Sequence, residues 1–233
     1  MLKRLRCGLR YEKQAWESGA RLVAGVDEVG RGSLFGPVVA AAVILNPEDR
    51  IRGLRDSKLL PASTRERLAE RIRRRALAFA VASVDAATID RINIYQASRM
   101  AMLLAVKQLS VTPDHLLVDA MQLDLDCPQN KIIHGDALSA SIAAASIIAK
   151  VERDRMMTDM DAEYPLYGLA SHKGYSTPRH IASLREHGPS PLHRQSFAPV
   201  WSAMGEAPQE LLEFMQEAAD AISEEGECGG YSA

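Results

Sequence analysis

The chain has 233 residues, 47% of them hydrophobic and 25% charged, with a formal net charge of −2. This balance suits one globular domain, or a domain with an appendage, and excludes a chain-wide basic field, so any nucleic-acid binding has to come from a local patch. No apolar run approaches the roughly 20 residues that span a bilayer, the basic start MLKRLRCGLR has no apolar stretch after it, and Cys7, Cys127 and Cys228 form no CxxC pair, which together point to a soluble, cytoplasmic protein.

In chain order, Leu9 to Ser18 reads as a short helix ended by Gly19. Leu22 to Leu45, LVAGVDEVGRGSLFGPVVAAAVIL, reads as strand, turn, strand. Asp27 and Glu28 close the first strand, and two adjacent carboxylates at the end of an apolar strand repel one another. A hard divalent cation would relieve that cost; the alternative is a solvated pair on a surface turn. The glycines that follow are not a dinucleotide-binding turn. That motif needs a helix directly after it, whereas Gly36-Pro37 leads into a run rich in β-branched residues. Gly30, Arg31 and Gly32 therefore lie in a turn beside the carboxylates, where glycines admit a ligand close to the backbone and Arg31 offers a cationic fork.

Arg52 to Lys58 is a charged loop. Ser63 with Glu66 three residues later predicts a capping box. The helix it opens, TRERLAERIRRRA, places Leu68 and Ile72 inward. Its arginines form a solvated face or, in the sharper reading, part of a nucleic-acid groove. A strand follows over Leu77 to Val84, then a short helix over Asp85 to Ile92 and a longer one over Asn93 to Leu109. HLLVDA is a short buried strand ending at Asp119, and KIIHG a second ending at Asp136. A long helix from Ser139 to Tyr164 is small and apolar nearly all round in its first half, which predicts burial against the sheet. Beyond it lie an irregular stretch, a short helix opened by Thr177-Pro178, a polar basic loop, a last amphipathic helix from Pro208 and a disordered tail from Glu224.

Asp27, Glu28, Asp119 and Asp136 thus share one position, at or just beyond the end of a short apolar strand. In an α/β sheet such ends converge on one edge, where ligands bind. Four carboxylates there could hold two divalent cations about 4 Å apart, an arrangement suited to in-line displacement at phosphorus.

At these residues the chain resembles the type 2 ribonucleases H, and most closely the bacterial ribonuclease HII family. The resemblance runs from about Arg21 to Val200. It is carried by GVDEVGRGSLFGPVVAAAVIL, DSK at Asp56 to Lys58, LLVDA at Leu116 to Ala120, HGDALSASIAAASIIAKVERDR from His134, HKGYSTPRH from His172 and HGPSPLHRQSFAPV from His187. It implies an α/β fold, a ribonuclease H-like mixed sheet flanked by helices with a helical C-terminal extension. Residues 1–204 would form that catalytic domain, and 205–233 an amphipathic helix with a disordered tail. It implies Mg²⁺- or Mn²⁺-dependent hydrolysis of the RNA strand of RNA–DNA hybrids, and incision 5′ to ribonucleotides embedded in duplex DNA. The family's catalytic and metal-binding carboxylates fall on Asp27, Glu28, Asp119 and Asp136. Its Gly-Arg-Gly turn falls on Gly30, Arg31 and Gly32, and its junction-sensing tyrosine on Tyr175. The sequence departs from the common pattern at Leu59, at Ser33-Leu34-Phe35 and after Asp119, away from any carboxylate.

The rival readings are a nuclease of the same fold acting on DNA junctions or on long hybrids only, and an inactive hybrid-binding module. Lys58, Lys173 and Arg194 are either solvated or phosphate contacts. Glu152 and Asp154 suit ion pairing on the long helix. The six histidines have no HxxxH or HxH spacing, and only His134 is near a candidate carboxylate. Gln209, Leu212 and Phe214 look like a sliding-clamp-binding peptide, against the blander reading of an amphipathic helix that packs on the body. With no heptad or large apolar stripe left over, a monomer is expected.

Overall fold

The computed structural model describes residues 7–205. The expected helix from Pro208, the tail and the clamp-like peptide lie outside the described residues. Helix α1 (Arg10–Glu17) is followed by strands β1 (Val23–Val29) and β2 (Val38–Ile44). A 3-10 turn over Ser57–Leu59 leads to α2 (Ala62–Arg75), β3 (Ala78–Val84) and α3 (Ala86–Lys107). Then come β4 (His115–Asp119), β5 (Gln129–Ile132), α4 (Gly135–Leu138) and α5 (Ala140–Glu163). A 3-10 turn over Pro165–Tyr167 precedes α6 (Leu169–His172), α7 (Pro178–His187) and α8 (Ala198–Ala203).

The five strands form one mixed sheet in the order β3-β2-β1-β4-β5. β1, β2 and β3 pair antiparallel, as a strand–turn–strand reading requires, and β4 and β5 run parallel to β1. On one face, Ala24, Val26, Ala40 and Ala42 of the sheet pack against Ala97, Ala101 and Met102 of α3. On the other, Ala41 and Val43 pack against Leu68 and Ile72 of α2 and Ala144, Ile147 and Ile148 of α5. The first ten residues of α5 are all buried, which is why that stretch carries small and apolar side chains on every side. With alanines rather than large residues at the interface, helix and sheet approach closely.

The break expected near Ile92 is present inside α3. Asn93 adopts φ 64°, ψ 164°, and its side chain accepts hydrogen bonds from the backbone N–H groups of Tyr95 and Gln96, starting the second half of the helix anew. The capping box at Ser63 does not form. Pro61, whose ring favours the extended entry it adopts here, occupies the cap position, and Ser63 lies inside the first turn. The strand expected over KIIHG ends at Ile132, because His134 takes a left-handed conformation and turns the chain into α4. Asp136 therefore sits on a short helix rather than at a strand end.

The C-terminal elements form a third cluster. Leu34 and Phe35 of the β1–β2 turn are buried with Met157, Tyr167, Leu169, Leu184 and Val200. The helical extension is thus clamped onto the turn that the sequence places beside the carboxylates.

Candidate active site

Parallel pairing sets the centre of the site. Val26 is registered with Val118, so the next residue of each strand, Asp27 on β1 and Asp119 on β4, lie side by side at the strand ends. Glu28 follows Asp27, and one carboxylate oxygen of each of the three lies within 4.8 Å of the others. Asp27 is buried and Glu28 nearly so. Burial raises the Asp27 carboxyl well above the usual carboxylate range, and the charges of Glu28 and Asp119 raise it further. A hydrogen bond from Ser146 works the other way, and Ser146 Oγ itself lies 2.9 Å from Ser57 Oγ. Burial also raises Glu28 and Asp119, against the opposing pull of Arg31 on the first and of the Gly135 N–H, 2.7 Å from Oδ1, on the second.

Asp136 stands apart from the three-carboxylate group, on α4. It is buried, and its oxygen is 3.8 Å from Lys58 Nζ. Burial and the charges of Asp56 and Asp119 raise it, partly offset by Lys58. Lys58 is pulled down by burial, but Asp136, Asp56, Asp27 and Asp119 outweigh this and raise it.

The donor set fits a hard divalent cation. It is all oxygen, it is held at ligand spacing by two strands, and Glu28 Oε2 is buried with no hydrogen-bond partner among the described residues. An acceptor left unsatisfied beside like charges is destabilising unless a cation joins it.

Arg31 stands over this group, its Nη1 3.5 Å from Glu28 Oε1 and its side chain partly open to solvent. Gly30 and Gly32 flank it and differ in kind. Gly30 has φ 91°, and a β-carbon there would overlap the guanidinium of Arg153. Gly32 has open space around it. Tyr175 meets the same turn from the C-terminal side. It bridges to Ser33, the neighbouring Gly174 carbonyl accepts from Leu34 N–H at 2.8 Å, and Lys150 Nζ and Arg153 Cζ lie 5.8 and 5.7 Å from its ring centre.

Two residues that hold this corner were not legible as such in the sequence. Arg153 reads as one charge among several on a helix surface, yet it is fully buried and donates to the carbonyls of Pro37, Lys173 and Phe35 and to Ser33 Oγ. Arg194, one of the candidate phosphate contacts, is corrected. It is fully buried, donating to the carbonyls of Gly36 and Arg31, and burial with the Arg153 charge brings it down to about 9. It braces the turn from beneath. The neighbours of Arg153 on α5 do form ion pairs as expected: Glu152 with Arg73, and Asp154 with Lys150 at 2.6 Å and Arg65 at 3.5 Å. These pairs tie the arginine-rich face of α2 to α5. Lys173 Nζ donates to Thr158 Oγ1 at 2.8 Å.

Comparison with known proteins agrees with the geometry. The sequence profile of the family Ribonuclease HII matches residues 24–200. The ribonuclease HII of Koribacter versatilis is 67% identical over 221 residues, covering 94% of this chain and 86% of that protein. The crystal structure of ribonuclease H2 from Pyrococcus horikoshii superposes with a TM-score of 0.68 at 26% identity, over 78% of this chain and 97% of that one. The ribonuclease HII of Archaeoglobus fulgidus, solved in complex with PCNA, superposes with a TM-score of 0.65 at 28% identity, over 81% and 99%. A mixed sheet with carboxylates at adjacent parallel strand ends, beneath a Gly-Arg-Gly turn and within a family match covering most of the chain, makes this protein a ribonuclease H and a member of the ribonuclease HII family.

Proposed function

We propose that the site cuts the RNA strand of RNA–DNA hybrids and incises duplex DNA on the 5′ side of embedded ribonucleotides, leaving a 3′-hydroxyl and a 5′-phosphate. The observation that carries this reading is the juxtaposition of the carboxylate group with a turn that can approach a sugar. Asp27, Glu28, Asp119 and Asp136 would hold two divalent cations, Mg²⁺ or Mn²⁺. Such ions supply an activated water and charge to offset the developing negative charge at phosphorus.

The chain's own residues provide position and selectivity. The open space at Gly32 lets the backbone approach the 2′-hydroxyl, the one group that separates a ribonucleotide from a deoxyribonucleotide. Arg31, held over Glu28, offers its fork to the sugar–phosphate backbone. Lys58, whose Nζ is 3.8 Å from Asp136, would contact the adjacent phosphate. Tyr175, with two cations beneath its ring, presents a flat face to the flanking deoxyribose. Outside the described residues, Gln209, Leu212 and Phe214 are our candidate for contact with a sliding clamp, in line with the clamp complex of the Archaeoglobus relative. A clamp pull-down unaffected by deletion from Pro208 onward would remove that peptide as the contact.

The test is a DNA duplex carrying one ribonucleotide, incubated with Mg²⁺ or Mn²⁺ and mapped at single-nucleotide resolution. A cut on the 5′ side of the ribonucleotide is expected. Cleavage of a long hybrid without that cut would retire the roles of Arg31 and Tyr175 while keeping the carboxylates.

A further inference from the structure

Three histidines that sequence spacing leaves unrelated meet behind Tyr175. His180 and His193 are fully or almost fully buried, and His172 stacks on His180 with ring centres 4.5 Å apart. His193 is boxed by the rings of Phe35 at 4.8 Å and Tyr167 at 4.6 Å. None of the three touches the carboxylate group.

Their proton positions follow from what their partners can do. A backbone N–H only donates, so the Ser190 N–H, 2.9 Å from His193 Nδ1, makes that nitrogen an acceptor. A backbone carbonyl only accepts, so His180 Nδ1, 3.0 Å from the Tyr175 carbonyl, carries a proton. Between them, the two Nε2 atoms are 3.1 Å apart, and one arrangement satisfies the chain: His193 Nε2–H donates to the bare Nε2 of His180. The third histidine, His172, secures the preceding residues. His172 Nε2–H donates to the Tyr167 carbonyl at 2.8 Å, and its Nδ1 accepts from the Gly174 N–H at 3.2 Å. The backbone held this way is left-handed at two consecutive positions, Lys173 with φ 55° and Gly174 with φ 79°, a conformation that surrounding contacts have to impose on lysine.

We propose that His193 and His180 are positioning residues for Tyr175: a directional hydrogen-bond chain through two neutral imidazoles fixes the Tyr175 carbonyl, and with it the ring that meets the substrate beside the Gly-Arg-Gly turn. The chain starts on the same framework as that turn, because His193 bridges to Phe35 while Ser33 bridges to Tyr175. Turn and tyrosine are thereby set at one spacing. Burial, and for each ring a neighbouring histidine, hold both below the ordinary histidine range, so the neutral forms the chain requires are the ones present at neutral pH.

The inference rests on the junction role of Tyr175 given above, and the test separates the two. Nitrogen-detected NMR of the full chain at pH 7 reads the tautomers directly. His180 should carry its proton on Nδ1 and His193 on Nε2, with a scalar coupling between the two Nε2 atoms. The opposite tautomers, or a doubly protonated ring, would overturn the chain. The functional readout is the ratio of incision at a single embedded ribonucleotide to cleavage of a long hybrid. The Tyr175 carbonyl has two donors, His180 Nδ1–H and the Thr177 N–H at 2.8 Å; His180→Leu removes the one that ties it to His193, and the ratio should fall roughly tenfold. His180→Asn, whose amide N–H can replace Nδ1–H, should hold it within about threefold of the parent. Tyr175→Ala runs beside them. A fall with Tyr175→Ala but none with His180→Leu overturns the positioning role and leaves the tyrosine reading standing. No fall with Tyr175→Ala removes both. If His180→Leu does not fold, the parent spectrum and the His180→Asn ratio decide.

Discussion

Gly25 is the point at which β1 and α5 touch, and Gly25→Ala is the sharpest test of how the site is built. A β-carbon at this position would lie about 1 Å or more inside ordinary van der Waals distance of the Ser141 carbonyl carbon and oxygen and of the Ile142 nitrogen. All three are backbone atoms of the first turn of α5, so no rotamer change can yield. Strand and helix must part by about 1 Å, along an interface that also buries Val23, Leu117 and Ile142. Over-packing costs about 1–3 kcal/mol where side chains can adjust, and here the upper end, about 3 kcal/mol, is the expectation. For a chain of this size each kcal/mol moves the melting temperature by about 2–4 °C, which gives a fall of about 6–12 °C. Asp27 is two residues along the same face and Ser146 lies on α5, so the cation-induced rise in melting temperature should shrink as well. Gly32→Ala is the control. Its β-carbon meets nothing, so the melting temperature should stay within about 2 °C while embedded-ribonucleotide incision falls. Thermal denaturation with and without Mn²⁺ measures both variants, and a Gly25→Ala protein that melts within about 2 °C of the parent would refute the close-approach argument.

Asp119→Asn removes a charge from the group but no bulk. Turnover should fall at least about a thousandfold, while hybrid affinity by fluorescence anisotropy holds or improves as repulsion of phosphate drops. Binding lost in step with cleavage would contradict that division. Mg²⁺ or Mn²⁺ at about 100 times its dissociation constant should stabilise the parent by about 2.7 kcal/mol, and Asp119→Asn by clearly less; equal gains would place the cation elsewhere. The histidines predict a pH effect of fixed sign. His193 is held down to about 3 by burial and His180, so below its ordinary value of 6.5 the unfolded chain takes up a proton that the folded one refuses. Its contribution is therefore full at neutral pH and is lost as pH falls from 6.5 towards 3, at no more than about 1.4 kcal/mol per pH unit. The stability gap between parent and His193→Gln, read by urea denaturation, should narrow over that window; a constant gap would refute the assignment.

The parts legible in the sequence are those that local pattern controls. Strand alternation places Asp27 and Asp119 at sheet ends, and the small apolar run of α5 announces its own burial. Asn93 breaks α3 because its side chain caps the new turn, accepting from the N–H groups of Tyr95 and Gln96. Asp136 is misplaced as structure, since KIIHG carries β-favouring isoleucines and nothing local marks the turn at His134. Arg153 and Arg194 are illegible for a stronger reason. An arginine among charges on a helix, as Arg153 is, or in a polar loop, as Arg194 is, is ordinarily a surface residue, and only the tertiary arrangement supplies the backbone carbonyls that make burial tolerable. The same holds for His172, His180 and His193, which belong to three separate segments and acquire meaning only when α6, α7 and the loop before α8 close on the β1–β2 turn.

Opposite charges flank that turn. On one side lie three carboxylates that burial holds above their usual range, with repulsion from neighbouring carboxylates adding to it at Asp27 and Glu28. On the other lie two buried guanidiniums, Arg153 and Arg194, whose hydrogen bonds all run to neutral acceptors, and Arg194 Nη2 has none among the described residues. Each guanidinium is tied into backbone carbonyls, and each of the three carboxylates stands on a strand paired within the sheet. If the carboxylates hold cations as proposed, affinity and chemistry should separate: the Asp119→Asn protein should still bind a hybrid while cleavage is lost, because only the carboxylate group would act on the phosphorus.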